Sequence, residues 1–99
     1  MMDSEWDEVK RQANIVKHGI DFVDAIEIFA SKFIETEDRR LDYGEQRLVV
    51  SGEVGGEIIR VIYTWRGERR RIISARRARR DERRAYYAGI AKAGEKDEK

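Results

Sequence analysis

The sequence contains no cysteine and no proline, and only one of its 99 residues is histidine. Without cysteine there are no disulfide bonds or thiolate metal sites, which fits a cytoplasmic protein. With one histidine and no ligand pattern among the carboxylates, we expect neither a metal site nor a cofactor. No apolar run approaches the ~20 residues that span a bilayer, and the acidic N-terminus does not resemble a signal peptide. We therefore expect a cytoplasmic location and no membrane partner.

Charge is distributed very unevenly along the chain, although the formal net charge is only +1. Residues 1–59 carry 7 Lys and Arg against 14 Asp and Glu, whereas residues 60–84 carry 11 Arg against 3 acidic residues. A dense arginine field attracts polyanions, and guanidinium groups make bidentate contacts with phosphate that ammonium groups do not make. The distribution favours a nucleic-acid partner. A solvated surface that pairs with the acidic half of the chain is the structural alternative.

Short elements separated by glycine turns predict a single α+β domain over residues 1–99. Two N-terminal helices are expected to pack on one face of an antiparallel sheet of three to four strands, and a C-terminal helix follows. The opposite face of the sheet is left for solvent or a ligand. We expect an ordered core at about 4–91 and a flexible tail at 92–99.

The helices have recognisable ends in the sequence. Asp7 and Asp21 are placed to cap the two N-terminal helices, and Gly19 is placed to end the first of them. Asp81 is the expected cap of the last helix, which is predicted to run from residue 82 to about 91. The apolar face of the first helix is predicted from three residues at helical spacing: Val9, Ala13 and Val16.

Alternating residues bounded by glycine turns predict the strands. A short edge strand is expected at 4–6 and another at 33–36, and three longer strands at 46–52, 57–65 and 69–75 form a meander. Simple alternation divides the last strand between two faces, with Arg70, Ile72, Ser74 and Arg76 on one face and Arg71, Ile73 and Ala75 on the other. A groove lined by arginines is expected where this strand meets its neighbours.

His18 is the only side chain whose unperturbed pKa lies near neutrality, and it follows Lys17 at the end of the first helix. A general acid or base for phosphodiester cleavage needs such a pKa. A histidine before a helix-ending glycine also serves as an ordinary hydrogen-bonding residue. Composition alone leaves both roles open.

Two separated runs of residues carry a family resemblance. The first run comprises Trp6-Asp7, Lys10, Asn14, Lys17-His18-Gly19-Ile20, Phe22 and Ala25. The second comprises Gly44-Glu45, Arg47, Tyr63-Thr64, Arg66, Arg71-Ile72-Ile73-Ser74-Ala75-Arg76, Ala78, Glu82-Arg83-Arg84 and Tyr86. In this order the runs resemble the BrnT family of bacterial toxins, and the resemblance covers roughly Ser4 to Tyr87.

The resemblance implies a RelE-like ribonuclease toxin of a type II toxin–antitoxin system. Such a toxin cuts RNA and inhibits translation, and a cognate antitoxin neutralises it. The implied antitoxin is a BrnA-like ribbon-helix-helix protein, expected in a 2:2 complex that binds its own promoter DNA.

The resemblance also implies roles for individual residues in metal-independent cleavage. Lys17, His18, Arg47 and Arg76 are the expected catalytic residues, with His18 transferring protons and the cations stabilising charge on the phosphate. The residues expected to contact the substrate are Arg60, Arg71, Glu45 and Tyr86, of which Glu45 and Tyr86 are also candidates for a second proton-transfer group.

Two other functions use the same residues without catalysis. The arginine-rich face could belong to a non-catalytic RNA-binding module, which would bind RNA and leave it intact. It could also belong to a partner-binding module that recognises an acidic protein surface. The lone histidine beside a lysine favours the enzyme.

Overall fold

The computed structural model describes residues 3–97, with side chains up to residue 93. The helices are α1 (Glu8–His18), α2 (Phe22–Ala25), a 3₁₀ helix (Ile26–Ala30) and α3 (Arg80–Asp97). The strands are β1 (Ser4–Trp6), β2 (Phe33–Asp38), β3 (Arg47–Val54), β4 (Glu57–Arg66) and β5 (Arg69–Arg77). Over these described residues, no helix combines the length and the apolar character that crossing a membrane requires.

The predicted ends of the N-terminal helices are confirmed. The Asp7 carboxylate accepts a hydrogen bond from the backbone N–H of Val9 at 2.8 Å, and Asp21 does the same for Val23 at 3.0 Å. These bonds satisfy N–H groups that have no partner inside a helix. Gly19 follows α1 with a φ of 70°, the left-handed conformation that favours glycine at a helix end.

The five strands form one mixed sheet in the order β1–β5–β4–β3–β2. Strands β2 to β5 form an antiparallel meander, whereas β1 pairs with β5 in parallel. The predicted α+β class and the antiparallel meander are confirmed, but the sheet has five strands instead of three to four, and β1 is parallel to its neighbour instead of antiparallel. Turn residues between neighbouring strands predict a meander, and they carry no information about β1, which pairs with a strand far along the chain.

Helices pack on both faces of the sheet. On one face, α2 and the 3₁₀ helix bury Phe22 and Ile28 against Val61 and Tyr63. On the other face, α3 packs through Tyr86 in a second cluster with Ile58 and Ala78. The face that the sequence leaves free is therefore partly covered by α3, and its uncovered part forms the cleft described below.

A β-bulge in β5 changes which side chains share a face. The register of β5 against β4 passes from Ser74 directly to Ile72, so Ile73 has no opposite residue. As a result Ile72 and Ala75 both lie in the core, whereas Ser74 and Arg76 line the opposite side. The prediction that Ile72 shares a face with Ser74 and Arg76 is wrong, because the extra residue inverts the alternation.

A buried asparagine, and not an apolar stripe, attaches α1 to the sheet. The Asn14 side chain donates to the Ala75 carbonyl at 2.8 Å and accepts from the Ala75 N–H at 3.1 Å. These bonds satisfy the backbone of β5 beyond the point where β1 ends. The predicted apolar face of α1 lies in solvent instead, since all three of its residues are exposed: Val9, Ala13 and Val16.

The start and the end of α3 differ from the prediction. Asp81 lies in the first turn, not at the cap, and the Glu82 carboxylate accepts the backbone N–H of Arg79 at 2.7 Å. The helix continues to Asp97, through most of the expected tail. Residues 98–99 lie outside the described part of the chain, and the flexibility of the tail stays a prediction.

Candidate functional site

A charged cleft of about 330 Å³ lies on the face of the sheet opposite α2. It is bounded by the end of β2 and the start of α3, and its floor is formed by β3, β4 and β5. Five arginines and three acidic residues line it: Arg39, Arg40, Arg60, Arg76, Arg79, Glu37, Asp38 and Glu82. The floor between them is formed by Val49, Ile62 and Ser74, and Thr36 lies at the β2 boundary.

Three arginines converge on the carboxylate of Glu82 at the α3 end of the cleft. Arg76 donates two parallel hydrogen bonds to it, both at 2.8 Å. The guanidinium nitrogens of Arg60 and Arg79 lie 3.6 and 3.9 Å from the same carboxylate. Arg60 and Arg76 are held side by side because they are paired residues of β4 and β5. We call these four residues the arginine cluster.

The arginine cluster keeps Glu82 ionised. Its side chain is only 13% exposed, so water screens it little. The hydrogen bonds from Arg76 are the main reason that the pKa of Glu82 falls to about 2. Burial raises this pKa, whereas the Arg79 N–H and the Arg60 charge lower it further. A carboxylate with so low a pKa is a poor base, but it neutralises only one of three guanidinium charges.

At the β2 end of the cleft the charges are matched in pairs. Arg40 donates two hydrogen bonds of 2.8 Å to the buried Asp38 carboxylate, which also accepts from the Tyr43 hydroxyl at 3.1 Å. These bonds, chiefly those of Arg40, lower the pKa of Asp38 to about 2. Arg39 pairs with Glu37 at 2.8 Å. The excess positive charge of the cleft therefore lies at the arginine cluster.

The predicted pair Lys17 and His18 lies in a groove that adjoins the cleft. This groove of about 230 Å³ runs between α1 and β5, and Ser74 lines both it and the cleft. Burial lowers the pKa of His18 below its ordinary value of 6.5, and the charges of Lys17 and Arg76 lower it further. The imidazole is therefore neutral at pH 7 and able to accept a proton.

Arg47 and Glu45 do not line the cleft. Arg47 pairs in the sheet with Asp38, which places it at the β2 end, where its guanidinium stacks 3.9 Å from the centre of the Tyr43 ring. Glu45 lies 3.4 Å from Arg47 and 3.7 Å from Arg66. Glu45 thus forms ion pairs with two arginines outside the cleft.

Arg71 lies away from the arginine cluster, whereas Tyr86 lies beside it, in a small pocket that Arg60 and Glu82 also line. Arg71 forms an ion pair of 2.8 Å with Glu5 of β1. Tyr86 is buried, and its hydroxyl donates to the Lys32 carbonyl at 3.0 Å. Burial raises the pKa of Tyr86, which makes its proton harder to remove. The structure thus brings Arg60 and Arg76 together in the cleft and places Lys17 and His18 in the adjoining groove between α1 and β5, the α1 groove. The other predicted residues lie around these two sites.

Of the charged residues that line the cleft, only Arg60 and Arg76 were predicted as site residues, and Glu82, Asp38 and Arg40 are among those that sequence reasoning missed. Glu82 could have been recognised, because a glutamate three residues after a helix start commonly accepts the N–H of the capping residue. The pairing of Asp38 with Arg40 has a weaker signal, since charged residues two apart are common in loops. Within residues 3–97, no three His, Asp or Glu side chains group together in a way that could hold a metal ion.

Comparison with known families gives a match over most of the chain. A family model described as the ribonuclease toxin BrnT of type II toxin–antitoxin systems matches residues 6–82. The chain belongs to the BrnT family. The match includes the α1 groove and the whole arginine cluster, and it ends before Tyr86. A search of curated proteins returned no match.

Proposed function

We propose that this BrnT-family protein is an endoribonuclease toxin that cleaves RNA in the cleft without a metal ion. The observation that carries the proposal is the arginine cluster. Its three guanidinium groups converge on one carboxylate, and Arg76 binds that carboxylate with the bidentate geometry that arginine also uses for phosphate. An RNA phosphate that enters the cleft would take up the guanidinium hydrogen-bonding capacity that Glu82 leaves unused.

The adjoining groove supplies the proton-transfer group that the chemistry requires. Neutral His18 removes the proton from a ribose 2′-hydroxyl, and that oxygen attacks the neighbouring phosphorus. The bond from phosphorus to the 5′-oxygen breaks, which leaves a 2′,3′-cyclic phosphate and a 5′-hydroxyl. Arg60, Arg76 and Lys17 stabilise the charge that develops on the phosphate oxygens. Water protonates the leaving oxygen.

The remaining predicted residues have supporting roles in this proposal. Arg47 and Arg71 lie beyond the cleft and contact flanking phosphates. Glu45 and Tyr86 do not transfer protons in this proposal, because Glu45 lies outside the cleft in ion pairs with arginines and the Tyr86 hydroxyl is bound to a carbonyl. Their contribution is to hold nearby side chains in place.

The biological setting of the proposal follows from the family. A toxin of this type inhibits translation in the cytoplasm by cutting RNA and is neutralised by a cognate antitoxin. We propose a BrnA-like ribbon-helix-helix antitoxin, a 2:2 complex that binds its own promoter DNA, and a RelE-like fold for the toxin. The type II family description supports the antitoxin partner.

The alternative is a non-catalytic RNA-binding or partner-binding module that uses the same arginine-rich face. One observation favours it. His18 is the only histidine of the chain, and the two buried carboxylates of the cleft, Asp38 and Glu82, have a pKa of about 2. Carboxylates with so low a pKa are poor bases, so they do not supply a second proton-transfer group. A module of this kind binds RNA or an acidic protein and leaves RNA intact.

A cleavage assay separates the two functions. Partner-free protein is incubated with labelled single-stranded RNA in EDTA, alongside Arg76→Lys and His18→Ala. Loss of the Arg76 guanidinium or of the base should slow cleavage roughly 100-fold. Arg84→Ala is the matched control, because Arg84 is an exposed arginine of α3 outside the cleft. RNA binding without cleavage by the unmodified protein contradicts the proposal for free RNA and favours the alternative.

A further inference from the structure

The outward face of α1 carries an apolar stripe that no part of the described chain covers. Val9 is 77% exposed and Val16 is 88% exposed, and Ala13 lies between them. The spacings of four and three residues place the three side chains on one side of the helix. A stripe of this kind on a helix is the usual surface for packing against another helix.

A groove with unpaired positive charge runs beside the stripe. Lys10 and Lys17 lie along this edge of α1, and the β-bulge residue Ile73 forms the opposite wall. Among the described side chains, neither lysine forms an ion pair. The surface thus combines an apolar stripe with a positively charged edge, and the complementary ligand is apolar with a negatively charged edge.

A second copy of this chain does not match the surface. Glu8 is the only acidic residue of α1, and its carboxylate already accepts hydrogen bonds from Arg11 at 2.7 Å and from Gln12 at 2.9 Å. Two α1 helices packed through their stripes would therefore leave the lysines without acidic partners. The charge pattern calls for a different protein.

We propose that α1 and its groove bind an acidic amphipathic helix of the partner antitoxin. The stripe from Val9 to Val16 is about 10 Å long, at ~1.5 Å per residue, so two turns of the partner helix cover it. This proposal rests on the proposed function, because the same groove contains His18. The bound helix covers the proposed base and keeps RNA from reaching it, which is a direct route to neutralisation.

The test measures antitoxin binding and RNA cleavage separately. The cognate antitoxin is titrated against the full-length toxin, against Val9→Ser/Val16→Ser, and against Lys10→Glu. Removal of both valines should weaken binding by about 10- to 100-fold, since each buried valine contributes a substantial apolar area. The charge reversal should weaken binding more at low salt than at high salt. Val23→Ser, an exposed valine outside α1, is the matched control and should bind normally.

Cleavage by the variants without antitoxin shows which proposal fails. The altered valines are outside the proposed catalytic machinery, so cleavage and melting temperature of the valine variant should match the unmodified toxin. Lys10 lines the same groove as His18, so its charge reversal is assessed by antitoxin binding alone. The proposal that α1 binds the antitoxin is overturned if the valine variant binds the antitoxin as tightly as the unmodified toxin. It is also overturned if Val23→Ser weakens binding equally, whatever the cleavage result. Tighter binding of Lys10→Glu overturns the acidic character of the partner helix. Absence of cleavage in all proteins contradicts the proposed function and leaves the binding result valid.

Discussion

Glu82→Gln keeps the size of the side chain and removes the negative charge at the centre of the arginine cluster. Arg76, Arg60 and Arg79 are then left close together without a counter-ion. The Arg79 N–H also loses a charged acceptor at the start of α3. We therefore expect the variant to be less stable than the unmodified protein at neutral pH.

The size of the effect follows from the pKa of Glu82. A fall from the ordinary value of 4.5 to about 2 corresponds to about 3 kcal/mol of unfolding free energy, at ~1.4 kcal/mol per pH unit. Because the pKa is lower in the folded state, this stabilisation is fully present above about pH 4.5 and is lost as the pH falls through about 2. The difference between the two proteins should shrink to about 1.5 kcal/mol at pH 3.

Urea denaturation at pH 7 and at pH 3 measures the difference in unfolding free energy between Glu82→Gln and the unmodified protein at each pH. The matched control is Glu68→Gln, since Glu68 is exposed in the turn between β4 and β5. We expect the control to change stability by less than about 0.5 kcal/mol at either pH. A Glu82→Gln difference that is equally small at pH 7, or that does not depend on pH, would refute the electrostatic account of the arginine cluster.

Three further predictions concern the core and the proposed base. Asn14→Ala should destabilise the fold by about 2–3 kcal/mol in urea denaturation, because buried backbone groups of β5 lose their partners; a loss below about 0.5 kcal/mol contradicts this. Gly52→Ala should lower the free energy of unfolding by about 1–3 kcal/mol, since the added Cβ would lie 2.6 Å from the Ile28 side chain. Gly89→Ala, in a helix, is the control and should leave the melting temperature nearly unchanged. Cleavage by His18 should persist below pH 6.5, because its pKa is lowered, and a pH–rate profile that falls above pH 6.5 contradicts its role.

The local features of the fold could be predicted from the sequence, because their signals lie within a few residues. Asp7, Asp21 and Gly19 each act on backbone groups of their own helix, and all three hold the expected positions. The glycine turns between strands likewise predict the meander. These signals need no knowledge of distant parts of the chain.

The errors concern features that depend on contacts between distant residues. Asn14 is buried because Ala75, 61 residues away, presents unpaired backbone groups to it. The periodicity of α1 predicts Val9 and Val16 in the core, and it contains no information about that contact. Likewise, the bulge at Ile73 is set by pairing with β4, and simple alternation does not reveal it.

The candidate site was predicted in part for the same reason. The resemblance and the charge pattern indicate Arg60 and Arg76, and the fold places them together because they are paired residues of neighbouring strands. Glu82 joins them from α3, and only the packing of α3 on the sheet brings it there. Arg47 and Arg71 are equally basic in sequence, but their strands carry them beyond the cleft.

The position of bound RNA tests the central claim most directly. RNA containing 4-thiouridine is photo-crosslinked to the full-length protein, and the crosslinked peptides are identified by mass spectrometry. We predict crosslinks in the segments that line the cleft and the adjoining groove, namely residues 36–40, 60–62, 74–79 and 17–18. Crosslinks confined to the opposite face, around α2 and the 3₁₀ helix, would contradict the assignment of the cleft as the RNA site.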